Sequence, residues 1–267
     1  MGIRREREEP DIFKKAPENL DEMLDFLGLP ELCQTYQSQL EQAARENLSH
    51  EEFLKRLLSL EVSSKLERHI QNRIEQSRFP FIKTLEEFDF SHPTLLPKIK
   101  IMAAAELDFI KNKEGLVFIA SHGLGKTHLA IALGYRAAQA GVRTYFTKAV
   151  DMVNHLTAAQ ADHSIRKAMR LYTKPALLII DELGRLSIDQ KQGEQIFNVI
   201  DARYERGSTI LTTNRAFRDW GKIFQDEVCA KGIIDRLVHH SDVIKIEGVS
   251  YRIKDRKTKN LADEQTN

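Results

Sequence analysis

The stretch from Val117 to Leu133 constrains the fold more than any other part of the sequence. It begins as an apolar run, continues as a loop that contains Gly123 and Gly125, and ends in a helical apolar pattern. A polyphosphate needs several backbone N–H groups near the N-terminus of a helix, and glycines let the backbone come close enough to supply them. The stretch therefore predicts a strand, a phosphate-binding loop and a helix.

The same loop predicts which residues contact a nucleotide. In the motif G-x-x-x-x-G-K-[ST], the lysine (Lys126) reaches the β- and γ-phosphates and the hydroxyl of Thr127 is a ligand of Mg²⁺. The first motif position holds Ala120, and alanine is the smallest replacement that keeps the turn feasible. The candidate ATP-binding residues are Ala120, Ser121, His122, Gly123, Leu124, Gly125, Lys126, Thr127 and His128.

An acidic pair follows a second apolar stretch, since Asp181 and Glu182 come directly after residues 177–180. Either carboxylate alone could cap a helix or lie on the surface. Beside a phosphate loop, Asp181 is expected to join Thr127 in holding Mg²⁺, and Glu182 is expected to orient and deprotonate the attacking water. The two stretches together predict a hydrolytic P-loop ATPase that uses ATP and Mg²⁺.

Other polar residues extend this prediction. Asn214 ends the strand predicted over 208–213 and could position the attacking water or sense the γ-phosphate, unless it is only a turn-favouring residue. Arg203 and Arg206 precede that strand, and Arg236 precedes the last predicted strand. An arginine that stabilises the transition state raises the rate by about 10³–10⁵. If it comes from a neighbouring subunit, hydrolysis requires an oligomer.

A row of basic residues precedes the acidic strand at helical spacing. Its members are His163, Arg166, Lys167, Arg170 and Lys174. The row could be a solvated helix face, or it could follow the phosphates of DNA. Because the net charge is only +1, nucleic-acid binding would depend on such a local patch. The candidate DNA-binding residues are Arg166, Lys167, Arg170 and Lys174.

Local patterns divide the chain into a helical part and an α/β part. We expect a flexible tail at 1–16, a small all-α domain at 17–78, a linker at 79–97, an ATPase domain at 98–253 and a flexible basic tail at 254–267. In the all-α domain, which could be a plain helical bundle or a docking or DNA-binding module, Ser49 and Glu52 form a capping box. Separate helices are expected to end near Leu60 and to run from Val62 to Gln76.

Strand and helix signals alternate after Leu116, which predicts a parallel sheet covered by helices. A helix is expected from about 95–98 to Ile110. The predicted strands lie near 116–120, 142–147, 176–181, 208–213 and 242–246.

Cysteine use and hydropathy predict a cytoplasmic protein. Cys33 and Cys229 fit neither a disulfide framework nor a metal-ligand spacing, as is common in a reducing cytosol. No apolar run approaches the ~20 residues of a membrane span, and the charged N-terminus lacks a signal-peptide core. We expect no membrane partner.

Several longer stretches together resemble the IstB family, the AAA+ helper ATPases of bacterial insertion-sequence transposition, which are relatives of the DnaC helicase loaders. They are residues 54–58, 84–90, 125–134, 177–184, 203–214, 217–221, 233–240 and 247–252. The resemblance implies an AAA+ core with a five-stranded parallel sheet and no C-terminal lid. It also implies a homo-oligomer on double-stranded DNA that assists a transposase in choosing its target.

The resemblance assigns roles by position. It implies that Lys126 and Thr127 belong to Walker A, that Asp181 and Glu182 belong to Walker B, that Asn214 is sensor 1 and that Arg236 is the arginine finger. The basic row falls where this clade inserts a DNA-facing helical element. Two alternatives remain open: a loader of a replicative helicase, and a nucleotide-binding adaptor that no longer hydrolyses ATP because of Ala120.

Overall fold

The computed structural model describes residues 16–184 and 188–251. The chain forms two compact units, which divide between His69 and Ile70. The tail predicted at 254–267 lies outside the described residues, as does the tail predicted at 1–16 except for Ala16. Within the described ranges, no helix has both the length and the apolar character needed to cross a membrane.

The first unit is helical. It contains α1 (Leu20–Phe26), α2 (Pro30–Glu46) and most of α3 (His50–Gln76). The predicted capping box is present, because the Glu52 N–H donates to Ser49 Oγ over 3.3 Å and the Ser49 N–H donates to Glu52 Oε2 over 3.0 Å. The prediction of two helices beyond this cap is wrong. No glycine or proline interrupts residues 50–76, so α3 continues as one helix.

A buried carboxylate replaces the missing cap of α2. Leu29 precedes this helix and has no side-chain oxygen that could accept from the free N–H groups of the first helical turn. Glu61, only 3% exposed, accepts hydrogen bonds from the N–H groups of Glu31 (3.0 Å) and Leu32 (3.1 Å). Its other oxygen pairs with Arg68 over 3.0 Å. A negative charge at this position also favours the positive end of the helix dipole.

The second unit is an α/β domain that begins with the end of α3. Its helices are α4 (Lys98–Ala104), α5 (Asp108–Lys111), α6 (Lys126–Gln139), α7 (Ala149–Ala161), α8 (Ile165–Thr173), α9 (Gln190–Arg203), α10 (Trp220–Phe224) and α11 (Glu227–His239). Its strands are β1 (Gly115–Ala120), β2 (Thr144–Lys148), β3 (Leu177–Leu183), β4 (Ser208–Thr213) and β5 (Ser241–Ile246). The five predicted strands are confirmed. The single helix expected up to Ile110 is divided into α4 and α5, because Leu107 adopts a left-handed backbone with φ of 66°.

The strands form one parallel sheet in the order β2-β3-β4-β1-β5. Alternate residues of a strand face opposite sides, and both sides are apolar here. Leu177 and Ile179 of β3 pack on one side, which α4 and α6 cover, whereas Leu178 and Ile180 pack on the other, which α7 to α11 cover. The predicted five-stranded parallel sheet flanked by helices is therefore confirmed.

The segment between α3 and α4 packs against the α/β core. Leu85 is buried, and Phe88 and Phe90 lie against the same apolar cluster as α6. Leu95 forms an antiparallel bridge with Glu247, with N–H to oxygen distances of 3.0 Å in both directions. This segment and the residues after β5 consequently border the phosphate loop.

Candidate nucleotide-binding and hydrolysis site

The phosphate loop connects β1 to α6 at the carboxyl edge of the sheet. Gly123 and Gly125 have φ values of 78° and 81°, a region that favours glycine. A Cβ atom on Gly125 would lie 2.5 Å from Cε2 of Phe88. Ala120 instead ends β1 with strand pairing to Ile246, so its backbone does not need the left-handed conformation. Alanine is thus compatible with the geometry at the first motif position.

Lys126 begins α6 and lies beneath the loop. Its side chain is largely buried, and Nζ donates hydrogen bonds of 2.8 Å to the carbonyl oxygens of Ala120 and Ser121. These bonds fix the ammonium group inside the loop. The first N–H groups of a helix have no acceptor within it and point out of its N-terminus, so those of α6 add the positive end of the helix dipole to the charge of the ammonium group. The arrangement can bind a polyphosphate.

Asp181 lies near the end of β3 and is only 2% exposed. Its Oδ1 atom accepts hydrogen bonds from Thr127 Oγ1 (2.8 Å) and Thr212 Oγ1 (2.6 Å). Burial raises the pKa of Asp181, and the two hydroxyl groups oppose this shift. A carboxylate beside a threonine hydroxyl is a donor set of oxygen atoms that suits Mg²⁺ together with nucleotide phosphates. Thr127 and Asp181 therefore fit the predicted metal ligands.

Glu182 follows Asp181 at an irregularity in β3. The register between β3 and β4 shifts between Ile180 and Leu183, and Glu182 has a left-handed backbone with φ of 59°. Such a conformation costs about 1–2 kcal/mol outside glycine. The Glu182 N–H donates to Thr212 Oγ1 over 2.9 Å, which holds this backbone in place. Bulges beside active sites commonly redirect a side chain in this way.

Thr212 was not among the residues predicted from sequence. It is fully buried on β4, donates to Asp181 and accepts from the Glu182 N–H. It can do so because β4 lies between β1 and β3 in the sheet. The only local signal was the polar pair Thr212 and Thr213 at the end of an apolar strand.

A cleft of about 490 Å³ lies above the loop, within the ~300–1,000 Å³ typical of ligand sites. Residues 122–128, Glu182 and Asn214 line it. Asn214 Nδ2 lies 2.9 Å from Nε2 of His122. His128 contacts the preceding segment, since its Nε2 lies 2.8 Å from the Thr84 carbonyl oxygen.

Two further contributions to the cleft were missed from sequence. The Phe88 ring packs edge-on against His128, with centroids 5.1 Å apart. The Tyr251 N–H donates to the Gly123 carbonyl oxygen over 2.9 Å. The aromatic spacing of residues 85–90 is a signal for the first contribution, although from sequence it predicts only a linker that is extended and partly packed against the ATPase domain.

Arg236 does not lie at this site. It belongs to α11, where its Nε atom donates to Asp201 Oδ1 over 2.6 Å and its guanidinium lies 4.5 Å from the ring centroid of Phe197. It lines a small cavity with Gly115 and Ser241, the first residues of β1 and β5. A strand rises about 3.3 Å per residue, so the amino-terminal ends of these strands, where Arg236 lies, are about 17 Å from the loop at the carboxyl end of β1.

The two other candidate arginines differ from each other. Arg206 is exposed, whereas Arg203 is 2% exposed and has a structural function. Arg203 donates to the carbonyl oxygens of four residues and to one hydroxyl oxygen. These acceptors are the carbonyls of Tyr172, Pro175, Ala176 and Ser208 and the hydroxyl of Thr209. Burial lowers the pKa of Arg203 to about 10, so the group stays charged at neutral pH.

The predicted basic row lies on and beside α8. Ala168 and Tyr172 bury the opposite face of this helix against the core. The basic side chains are exposed, namely His163, Arg166, Lys167, Arg170 and Lys174. The helix therefore presents four permanent positive charges to solvent.

Comparison with known proteins identifies relatives along most of the chain. The sequence model of the family described as IstB-like ATP binding protein matches residues 22–259. An ATP-binding protein of insertion sequence IS5376 from Geobacillus stearothermophilus is 39% identical over 240 residues, covering 90% of this chain and 96% of the relative. An ATP-binding protein of insertion sequence IS21 from Pseudomonas aeruginosa is 35% identical over 247 residues, which cover 92% of this chain and 93% of the relative.

The fold also has relatives among solved structures. AMPPCP-bound DnaA from Aquifex aeolicus superposes with a TM-score of 0.53 at 23% identity, over 66% of this chain and 54% of that chain. The match covers about half of the DnaA chain. This similarity establishes the AAA+ P-loop fold of the second unit.

Proposed function

Because the chain belongs to the IstB-like ATP-binding proteins of insertion sequences, we propose that it is a DNA-stimulated ATPase of transposition. It forms a homo-oligomer on duplex DNA, hydrolyses ATP there, and assists a cognate transposase in choosing and engaging a target. ATP binding is a property of the family. Hydrolysis, assembly and the two macromolecular partners are the proposal.

The bonded group of Thr127, Asp181 and Thr212 is the main support for hydrolysis. It holds the Asp181 carboxylate beside the phosphate loop, and its bond to the Glu182 N–H holds that residue at the border of the same cleft. Bound Mg²⁺ would supply charge neutralisation at the phosphates. Glu182 would orient and deprotonate the attacking water, and Asn214 would hold either that water or the terminal phosphate.

The position of Arg236 supports action between subunits. Arg236 lies at the amino-terminal ends of the strands, opposite the phosphate loop of its own chain. Its side chain is nevertheless 30% exposed beside Asp201. In a head-to-tail assembly, these strand ends of one copy meet the cleft of the next. Arg236 would leave Asp201 and complete the neighbouring site, so hydrolysis would depend on assembly.

The exposed face of α8 supports DNA binding. Arg166, Lys167, Arg170 and Lys174 have no ion-pair partner among residues 16–184 and 188–251. Side chains of this type attract DNA phosphates without reading sequence. We therefore propose that these four side chains contact the phosphates of the DNA backbone. Choice of target would follow from the deformability of the DNA and from the transposase.

The first experiment measures phosphate release with and without duplex DNA. Lys126→Ala is expected to lose ATP binding, whereas Glu182→Gln is expected to bind ATP and lose at least a hundredfold in turnover. Glu194→Gln, a change of the same kind at an exposed position on α9, should be neutral. ATP binding by the wild-type protein without turnover, even with DNA and transposase present, would instead support the nucleotide-binding adaptor.

The second experiment mixes two inactive variants. Arg236→Ala should bind ATP without hydrolysing it, and so should Glu182→Gln. If Arg236 acts on the neighbouring subunit, a mixture contains interfaces that join an intact cleft to an intact arginine and regains part of the activity. No recovery at any ratio would refute this role of Arg236.

The third experiment separates transposition from helicase loading. Electron microscopy with ATP and duplex DNA should show protein assemblies along the DNA, and addition of the transposase should retain both proteins on it. Binding to a replicative helicase instead of a transposase would favour the loader.

A further inference from the structure

His122 and Asn214 are 92 residues apart in sequence but adjacent in space. Ile119 of β1 is paired with Thr213 of β4, so the residues after these neighbouring strands emerge side by side. Asn214 Nδ2 approaches His122 Nε2 to 2.9 Å. As the two side chains are placed, the amide nitrogen donates and the imidazole Nε2 accepts.

The pair lies among groups that act on the terminal phosphate. Lys126 and Glu182 line the same cleft as His122 and Asn214. In P-loop enzymes the lysine reaches the β- and γ-phosphates, and the water-activating carboxylate acts at the γ-phosphate. A donor in the same cleft as these two groups is therefore a candidate to contact the phosphate that ATP has and ADP lacks.

The pair is not needed to hold the loop. His122 is exposed and Asn214 is partly exposed, and a hydrogen bond between such groups contributes little in water. The loop is already fixed by the bonds from Lys126 Nζ to the carbonyl oxygens of Ala120 and Ser121, and by the bond from the Tyr251 N–H to Gly123.

We propose that His122 joins Asn214 in binding the terminal phosphate of ATP, so that His122 helps the site to distinguish ATP from ADP. In the structure the two side chains bond to each other. When the terminal phosphate is present, the amide turns its N–H to the phosphate, and the imidazole carries its proton on Nε2 and donates as well. The proposal rests on ATP as the nucleotide, and it makes His122 a specificity residue of the ATPase site proposed above.

The test compares dissociation constants for ADP and for AMPPCP, an ATP analogue with a stable terminal linkage, by displacement of fluorescent ADP in the presence of Mg²⁺. His122→Ala should weaken AMPPCP binding about tenfold, equivalent to about 1.4 kcal/mol, and change ADP binding less than twofold. Asn214→Ala should have a similar selective effect. His122→Gln, whose amide can still donate, should recover most of the loss.

The controls separate this proposal from loop damage and from the proposed function. His69→Ala, at an exposed position on α3, should change neither constant. Equal losses for ADP and AMPPCP in His122→Ala would indicate a merely structural residue and overturn the proposal, as would no loss at all. If the wild-type protein binds neither nucleotide, the proposed ATPase function itself fails.

Discussion

Arg203 should be one of the most important single residues for the stability of the α/β unit. All five of its hydrogen bonds are to oxygen atoms of the segment before β3 and the start of β4. Arg203→Ala removes these donors from four backbone carbonyls and opens a cavity. Of the four, the Ala176 carbonyl keeps the N–H of Ser208 over 2.9 Å. Each buried acceptor left unsatisfied costs about 1–3 kcal/mol, although water that enters the cavity restores part of this. We expect a loss of about 3–5 kcal/mol in the free energy of unfolding.

Arg203→Lys keeps the charge but not the planar fork of donors. A lysine has three donors on one nitrogen, so it cannot reach acceptors on both segments at once, and we expect a loss of about 2–4 kcal/mol. Arg206→Ala is the matched control, because this arginine is three residues away and exposed. Its effect should stay within about 0.5 kcal/mol.

The assay is equilibrium unfolding in urea, followed by tryptophan fluorescence. The only tryptophan, Trp220, is fully buried in the α/β unit, so the signal reports this unit and not the helical one. A loss below about 1 kcal/mol for Arg203→Ala, or equal effects at Arg203 and Arg206, would refute the reasoning.

Three further predictions concern the site and the basic row. Burial raises the pKa of Asp181, so the folded protein binds this proton more tightly than the unfolded chain, and stability falls as pH rises above the usual value for Asp. Asp181→Asn should therefore keep or raise the Tm near pH 7.5, and each kcal/mol gained in the free energy of unfolding raises the Tm by about 2–4 °C. The same change should abolish Mg²⁺-dependent turnover. A lower Tm measured without Mg²⁺ would contradict this reasoning. Gly125→Ala should weaken ATP binding at least tenfold in a displacement titration. The added Cβ would clash with the Phe88 ring, and the backbone at this position has a positive φ that alanine rarely adopts. Unchanged affinity would refute the assigned loop geometry. For duplex DNA, a plot of log K against log salt concentration should have a slope near −3.6 if the four α8 side chains contact phosphates. Arg170→Gln should lower the magnitude of this slope by about 0.9, whereas Lys231→Gln, at an exposed position on α11, should leave it unchanged.

The sequence determined those features that depend on contiguous residues. Gly123 to Thr127 predicted the loop, because the glycine spacing and the following helix are local requirements of phosphate binding. The apolar run before Asp181 predicted β3, and the five strands and the capping box at Ser49 were read correctly for the same reason. Local patterns were less reliable for the ends of helices, as the continuous α3 and the division at Leu107 show.

Only the tertiary structure decided how distant residues meet. The order of strands cannot be read from alternating signals, and it is this order that brings Thr212 against Asp181 and Asn214 against His122. It was also the fold that buried Arg203 among backbone carbonyls and left Arg236 at the opposite edge from the loop. The physical reason is that a side chain's contacts depend on which elements pack beside it, whereas sequence spacing specifies only its own element.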